Sequence, residues 1–193
     1  MTTVFVDIDT QFDFVVPSGA LYVPGAERLA GVFAKLNQQA LRQGSIVIST
    51  TDAHAENDAE FAVWPPHCVA GTWGQLKPPG TLLDKRVSIP SVRSKFSIEG
   101  AAQILVEKQQ LDCFTNENLP EVLRALDADR YVVYGVVTEY CVECAVTGLL
   151  KTGKRVELIE DAIQSLDSAK ASRTLAAFAA EGGVITRSAS VLA

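Results

Sequence analysis

The residue best placed for covalent chemistry is Cys141, in Gly135-Val136-Val137-Thr138-Glu139-Tyr140-Cys141-Val142. Tyr131 to Val137 is an apolar, β-branched and aromatic run, the pattern of a buried strand. A polar step follows at Thr138-Glu139, and a helical pattern runs from Tyr140 to about Leu150. This spacing puts Cys141 in a first helical turn, where the dipole and free backbone N–H groups favour a thiolate. The same N–H groups can hold an oxyanion forming on a substrate carbonyl. A cysteine nucleophile needs a base. Asp9 can take the thiol proton, and Lys108 can hold thiolate and carboxylate in register. A Cys–Asp–Lys set suits attack on an amide: the thiolate adds, ammonia leaves, and water clears the thioester.

A second cluster uses the only two histidines of the chain. Asp52-Ala53-His54 follows a strand pattern, and Asp58, Glu60 and His67 come after it. Two imidazoles with one or two carboxylates can bind a divalent ion and leave a position open. A third pattern, Cys141-Val142-Glu143-Cys144, is formally a C-x-x-C at a helix start, which is a redox signature in a thioredoxin-like setting. It lies late in a multi-strand pattern here, so hydrolysis is the first reading and thiol redox the second. Each residue also has a plain structural role open to it. Free cysteines are often small buried hydrophobes, Asp9 can be a turn residue, and Lys108 can be a solvated charge. Joint placement decides between these.

The elements that must position these residues alternate. Thr3–Ile8 reads as a strand ending at Asp9. Leu29, Val32, Phe33, Leu36 and Ala40 recur at helical spacing, with Gly44 as a C-terminal stop. Ser45–Thr50 is a strand ending at Asp52. Ile104–Glu107 is a strand ending at Lys108, and residues 118–126 look helical. Val156–Ile159, residues 168–181 and Val184–Thr186 read as strand, helix and strand. Residues 55–85 form a long segment rich in Pro and Gly, the kind that is often functional. Alternation of this kind implies an α/β fold: a three-layer αβα sandwich around a central, mostly parallel six-stranded sheet, in a single domain over residues 1–193. Open parallel sheets bind ligands beyond the carboxyl ends of their strands, and Asp9, Asp52, Lys108 and Cys141 each fall at such an end.

Composition narrows the partners. A net charge of -6 argues against a nucleic-acid partner. No apolar run approaches the roughly 20 residues of a membrane helix. Four cysteines with no secretory signal point to cytoplasmic thiols. The expected partner is a small-molecule amide, with a homo-oligomer left open.

Assembled, these residues resemble the isochorismatase-like cysteine hydrolases, and most of all their nicotinamidase branch. Asp9-Thr10-Gln11-Phe12-Asp13-Phe14 is similar to the family's D-x-Q-x-D-F, whose first acid is the catalytic base. Asp52-Ala53-His54 together with Trp64-Pro65-Pro66-His67-Cys68-Val69-Ala70-Gly71-Thr72 resembles the metal segment of nicotinamidases. Gly135–Val142 resembles G-x-x-T-D-x-C-V, with Glu139 in place of the usual Asp. Lys95 and Lys108 compete for the lysine role, and Lys108 follows a strand as the family's lysine does. Leu111 stands where an aromatic pocket residue is common.

The resemblance implies a nicotinamidase-like amidase with Asp9, Lys108 and Cys141 as catalytic residues. It implies an oxyanion hole from the backbone N–H groups of Val137 and Cys141, with a cis peptide between Val136 and Val137. It implies a divalent metal, zinc first with manganese or iron as alternatives, on Asp52, His54, His67 and Glu60, with Asp58 competing for the last place. Phe14, Leu21, Trp64 and Tyr140 would line a flat slot for an aromatic ring. Another small amide as substrate is the alternative within the same fold.

Overall fold

The apolar, β-branched runs pair side by side as one parallel sheet in the computed structural model, which describes residues Met1–Ala193. The strands are β1 (Thr3–Ile8), β2 (Ile46–Asp52), β3 (Arg86–Ile89), β4 (Gln103–Lys108), β5 (Arg130–Val136), β6 (Arg155–Gln164) and β7 (Val184–Thr186). Their order is β3-β4-β2-β1-β5-β6-β7, and every pairing is parallel. The sheet thus has seven strands where the sequence pattern predicts six. The extra one, β3, is a four-residue edge strand closed by Pro90, and three of its residues are solvent-accessible. Too short and too polar to show a period, it gives pattern reading nothing to hold.

Helices cover both faces, as a parallel sheet requires. One face packs against α3 (Leu119–Leu126), α4 (Glu143–Leu150) and α5 (Ser168–Ala180), through Val122, Val146, Leu149 and Phe178. The other packs against α1 (Phe12–Val15), α2 (Ala30–Arg42) and α6 (Ser188–Leu192), through Val15, Phe33, Leu36 and Val191. In α2 the apolar spacing places Phe33, Leu36 and Ala40 on one buried stripe, and Gly44 turns the chain at φ 69°. Each fully buried Phe or Leu on that stripe contributes about 1.5–3 kcal/mol. Phe33 stacks on Tyr134 of β5 with ring centroids 6.3 Å apart.

A buried polar knot ties the long excursion after β2 to the sheet. Asp7 of β1 is fully buried and accepts from Asn37 Nδ2 at 3.0 Å and Ser49 Oγ at 3.2 Å. Lys77 Nζ lies 3.0 Å from the same carboxylate. Asn37 also receives the Tyr134 hydroxyl and donates to Thr81 O at 2.6 Å. Every polar group in this knot has a partner, which makes its burial tolerable. The knot fixes where residues 77–81 lie, and so bounds the loop that carries the histidines.

Candidate active site

The centre of the sheet brings the chemistry together. β1 pairs with β2 on one side and β5 on the other, with Ile8 opposite both Thr50 and Gly135. Gly135 has φ 123°, and a Cβ there would come within 2.1 Å of Ile8 O. Only glycine lets β5 press this closely on β1 before it turns toward Cys141. The Val136–Val137 peptide is cis, as the resemblance implies. Thr138–Val142 forms a single wide π-type turn before α4, so Cys141 precedes the α-helix by two residues rather than sitting in its first turn. The Val137 N–H donates to no protein acceptor and stays free beside the thiol.

Asp9, Lys108 and Cys141 meet in the interior. Lys108 Nζ is 2.8 Å from Asp9 Oδ2 and 3.6 Å from Cys141 Sγ, and it also contacts Asp52 Oδ1. Lys95, the other candidate, is solvent-exposed. Asp9 adopts the left-handed φ of 49°, rare for a non-glycine residue. Its Oδ1 accepts from Thr50 Oγ1 at 2.5 Å, while Oδ2 is buried with no aligned hydrogen bond. That oxygen keeps a lone pair for an incoming proton.

Burial pushes the Cys141 thiol well above its ordinary range, and Lys108 opposes this without cancelling it. The sequence-based expectation of a dipole-stabilised thiolate is thus opposed by burial, which spacing does not report. Burial likewise raises Asp9, with the lysine opposing. Burial works to lower Lys108, but the Asp52 and Asp9 carboxylates outweigh it and hold the amine protonated. The thiol faces a row of the Asp9, Lys108 and Asp52 side chains.

The second cluster also assembles. His54 and Val69 form a parallel bridge, with His54 N donating to Cys68 O and Ala70 N donating to His54 O. This lays His67 beside His54, ring centroids 4.8 Å apart. Candidate ligand atoms of Asp52, His54 and His67 lie within 4.8 Å of one another, all buried. Asp52 Oδ2 is 3.7 Å from His54 Nε2 and 3.6 Å from His67 Nε2. The Nδ1 of His67 sits 2.8 Å from Pro65 O, which orients the ring and leaves Nε2 facing inward. Both ring nitrogens of His54 are buried without an aligned partner. Imidazole Nε2 atoms of His54 and His67, left facing the Asp52 carboxylate while their Nδ1 atoms face Asp58 and Pro65, fit a divalent cation. Burial works to raise Asp52, but Lys108 and the two histidines outweigh it and keep it ionised, as a ligand must be.

Glu60 lines the same pocket but stands outside this three-residue cluster. Asp58 points elsewhere: one oxygen accepts from Glu60 N at 2.9 Å and the other lies 3.1 Å from His54 Nδ1. It backs the imidazole rather than joining the cluster.

An apolar pocket opens onto both clusters, walled by Phe14, Leu21, Trp64 and Tyr140, all four sequence-predicted lining residues, and also lined by Cys141, Val137, Asp52, Glu60 and His67. Trp64 and Tyr140 meet edge to face at 5.3 Å. Leu111 lines it too, at the position noted for lacking an aromatic. A separate groove around Asp112, Lys151 and Thr152 holds none of this chemistry except the half-exposed Cys144.

Sequence reasoning missed the supports. Gln11 grips Asp52 from both sides, its Nε2 donating to Asp52 O at 2.8 Å and its Oε1 accepting from Asp52 N at 2.6 Å. Asp13 accepts from Cys68 N at 2.7 Å and Ala20 N at 2.8 Å, fixing the backbone beside His67. The alternation of Asp9, Gln11 and Asp13 was the available signal, but only the first member faces the thiol.

The chain thus presents a parallel sheet with a buried cysteine at its carboxyl edge. Residues 93–190 match the Isochorismatase domain, and the chain belongs to the isochorismatase family. Among its relatives, the nicotinamidase of Escherichia coli K12 is 27% identical over 195 residues, covering 88% of this chain and 89% of that protein. PnC1 from L. infantum, solved in complex with nicotinate, superposes with a TM-score of 0.80 at 26% identity, covering 97% of this chain and 93% of the other. The pyrazinamidase of Pyrococcus horikoshii, solved with zinc, shares the fold with a TM-score of 0.80 at 24% identity, covering 97% and 99%.

Proposed function

We propose that this protein is a metal-dependent amidohydrolase that converts nicotinamide and water to nicotinate and ammonia through a thioester on Cys141. One observation carries the proposal: a single apolar pocket is lined both by Cys141, of the Asp9–Lys108–Cys141 cluster, and by Asp52 and His67, of the adjoining Asp52–His54–His67 cluster. A flat ring bearing a carboxamide and a ring nitrogen offers a group to each cluster. The relatives named nicotinamidase, and the L. infantum structure with nicotinate, support this choice of substrate.

Asp9 Oδ2 takes the Sγ proton, and Sγ attacks the carboxamide carbon. The developing oxyanion is held by the Val137 and Cys141 backbone N–H groups. Asp9 returns the proton to the leaving nitrogen, the C–N bond breaks, and ammonia departs. Asp9 then takes a proton from water, whose oxygen attacks the thioester carbon. The C–S bond breaks, Sγ is reprotonated, and nicotinate leaves. Lys108 stays charged throughout and keeps Asp9 ionised when the thiol is neutral. A divalent cation held by Asp52, His54 and His67, with Glu60 or water completing the shell, would supply a Lewis-acid contact for the ring nitrogen.

The test is ammonia release from nicotinamide by purified protein, with and without chelator, beside Cys141→Ala. Wild type should turn over and lose affinity for nicotinamide on chelation, and Cys141→Ala should be inactive. Turnover by Cys141→Ala would refute the thioester. Metal-independent turnover of a ring-free amide, with none of nicotinamide, would favour a different small amide in the same site.

A further inference from the structure

Glu139 is buried in the turn that carries Cys141, yet its carboxylate faces away from the thiol cluster. Oε1 accepts two backbone N–H groups, Leu166 at 2.9 Å and Asp167 at 2.7 Å. Oε2 is buried with no partner, and no cation pairs with the side chain. A carboxylate kept inside for two amides needs a reason, because its desolvation is costly. The two residues it holds supply one. Leu166 is a wall of the pocket that contains Cys141 and Tyr140. Asp167 caps α5, its Oδ1 accepting from Ala169 N at 2.9 Å and Lys170 N at 3.0 Å. Lys170 Nζ in turn lies 5.9 Å from the centre of the Tyr140 ring. The nucleophile's turn and the β6–α5 connection are thus clasped at one atom, and the clasp fixes two pocket walls at once. Leu166 itself is 44% exposed, so packing alone does not hold it in place.

We infer that Glu139 is a positioning residue that sets substrate fit by holding Leu166 against the ring site, which rests on the amidase function proposed above. It acts on binding rather than on bond making, since it touches neither Asp9 nor Lys108 nor Sγ. Removing a charge-assisted acceptor loosens the amides it holds by about tenfold or more in equilibrium population.

In Glu139→Ala, amide hydrogen exchange at Leu166 and Asp167 should therefore speed up at least about tenfold, with exchange in β1 and β5 unchanged. The KM for nicotinamide should rise about tenfold with a smaller change in kcat. Preference for nicotinamide over 5-methylnicotinamide should shrink. Leu166→Ala should reproduce the KM and selectivity changes, and the double variant should add little to either single one. Glu139→Gln, which keeps an acceptor oxygen, should recover most of the exchange protection and the KM.

Unchanged exchange at Leu166 and Asp167 would overturn the inference. So would additive effects in the double variant, or a collapse of kcat at constant KM. If Glu139→Ala does not fold, Leu166→Ala decides: an unchanged KM and selectivity there overturns it as well. If wild-type protein does not hydrolyse nicotinamide, the substrate proposal fails alone, and the exchange measurement still judges the clasp.

Discussion

Lys108→Met tests the charge row at the heart of the site. The lysine is 1% exposed and lies between Asp9 and Asp52, themselves 1% and 3% exposed. Methionine keeps the length of the side chain and removes the ammonium, so packing is largely preserved. Two buried carboxylates are then left facing each other without their cation. Removing one partner of a buried ion pair costs about 3–5 kcal/mol. For a chain of this size each kcal/mol shifts the melting temperature by about 2–4 °C, so the expected fall is about 6–20 °C. The assay is thermal unfolding with chelator present, so that no metal ion substitutes for the lysine. Adding Asp9→Asn deletes one of the stranded charges and should recover at least about 1 kcal/mol, a coupling typical of groups in one network. Hydrolysis should be lost in both variants. A melting temperature within 2 °C or so of wild type, or no recovery in the double variant, would refute the reasoning.

His54→Ala should lower the bound divalent metal per chain, measured by elemental analysis after dialysis, while the Cys141 thiol stays intact. Cys144→Ser should leave hydrolysis within about threefold of wild type, because that thiol lies on the outer groove; a thiol redox protein would instead lose its activity. Gly135→Ala should cost several kcal/mol, on the order of a severe overpacking, since its Cβ would sit 2.1 Å from Ile8 O at a φ of 123°. Chemical denaturation reads this directly, and a loss under about 1 kcal/mol would mean that β5 can move off β1.

Much of this site was legible because strand ends are legible. Asp9, Lys108 and Cys141 follow runs whose apolar, β-branched character is strong, and fold logic then sends them to one edge. The histidines were legible by economy, being the only two in the chain. What escaped was set by tertiary contact. β3 is held by β4 and has no pattern of its own. β6 continues through Glu160 and Asp161 to Gln164, past the point where its apolar run ends. The thiol's resting state depended on burial, which spacing does not report. Glu139 showed in the sequence only as a departure from the usual Asp of a motif, and its two amide contacts lie 27 and 28 residues further on.

The strand order has a consequence for how the molecule can come apart. β1 lies in the middle of the sheet, with the first half of the chain running outward on one side and the second half on the other. Asp9, Asp52, His54, His67 and Lys108 ride on the first half, whereas Cys141 belongs to the second. The reactive centre is therefore a seam. A protein cut between β4 and β5 would yield two inert pieces, and restored turnover on mixing them would report that the halves had zipped along β1.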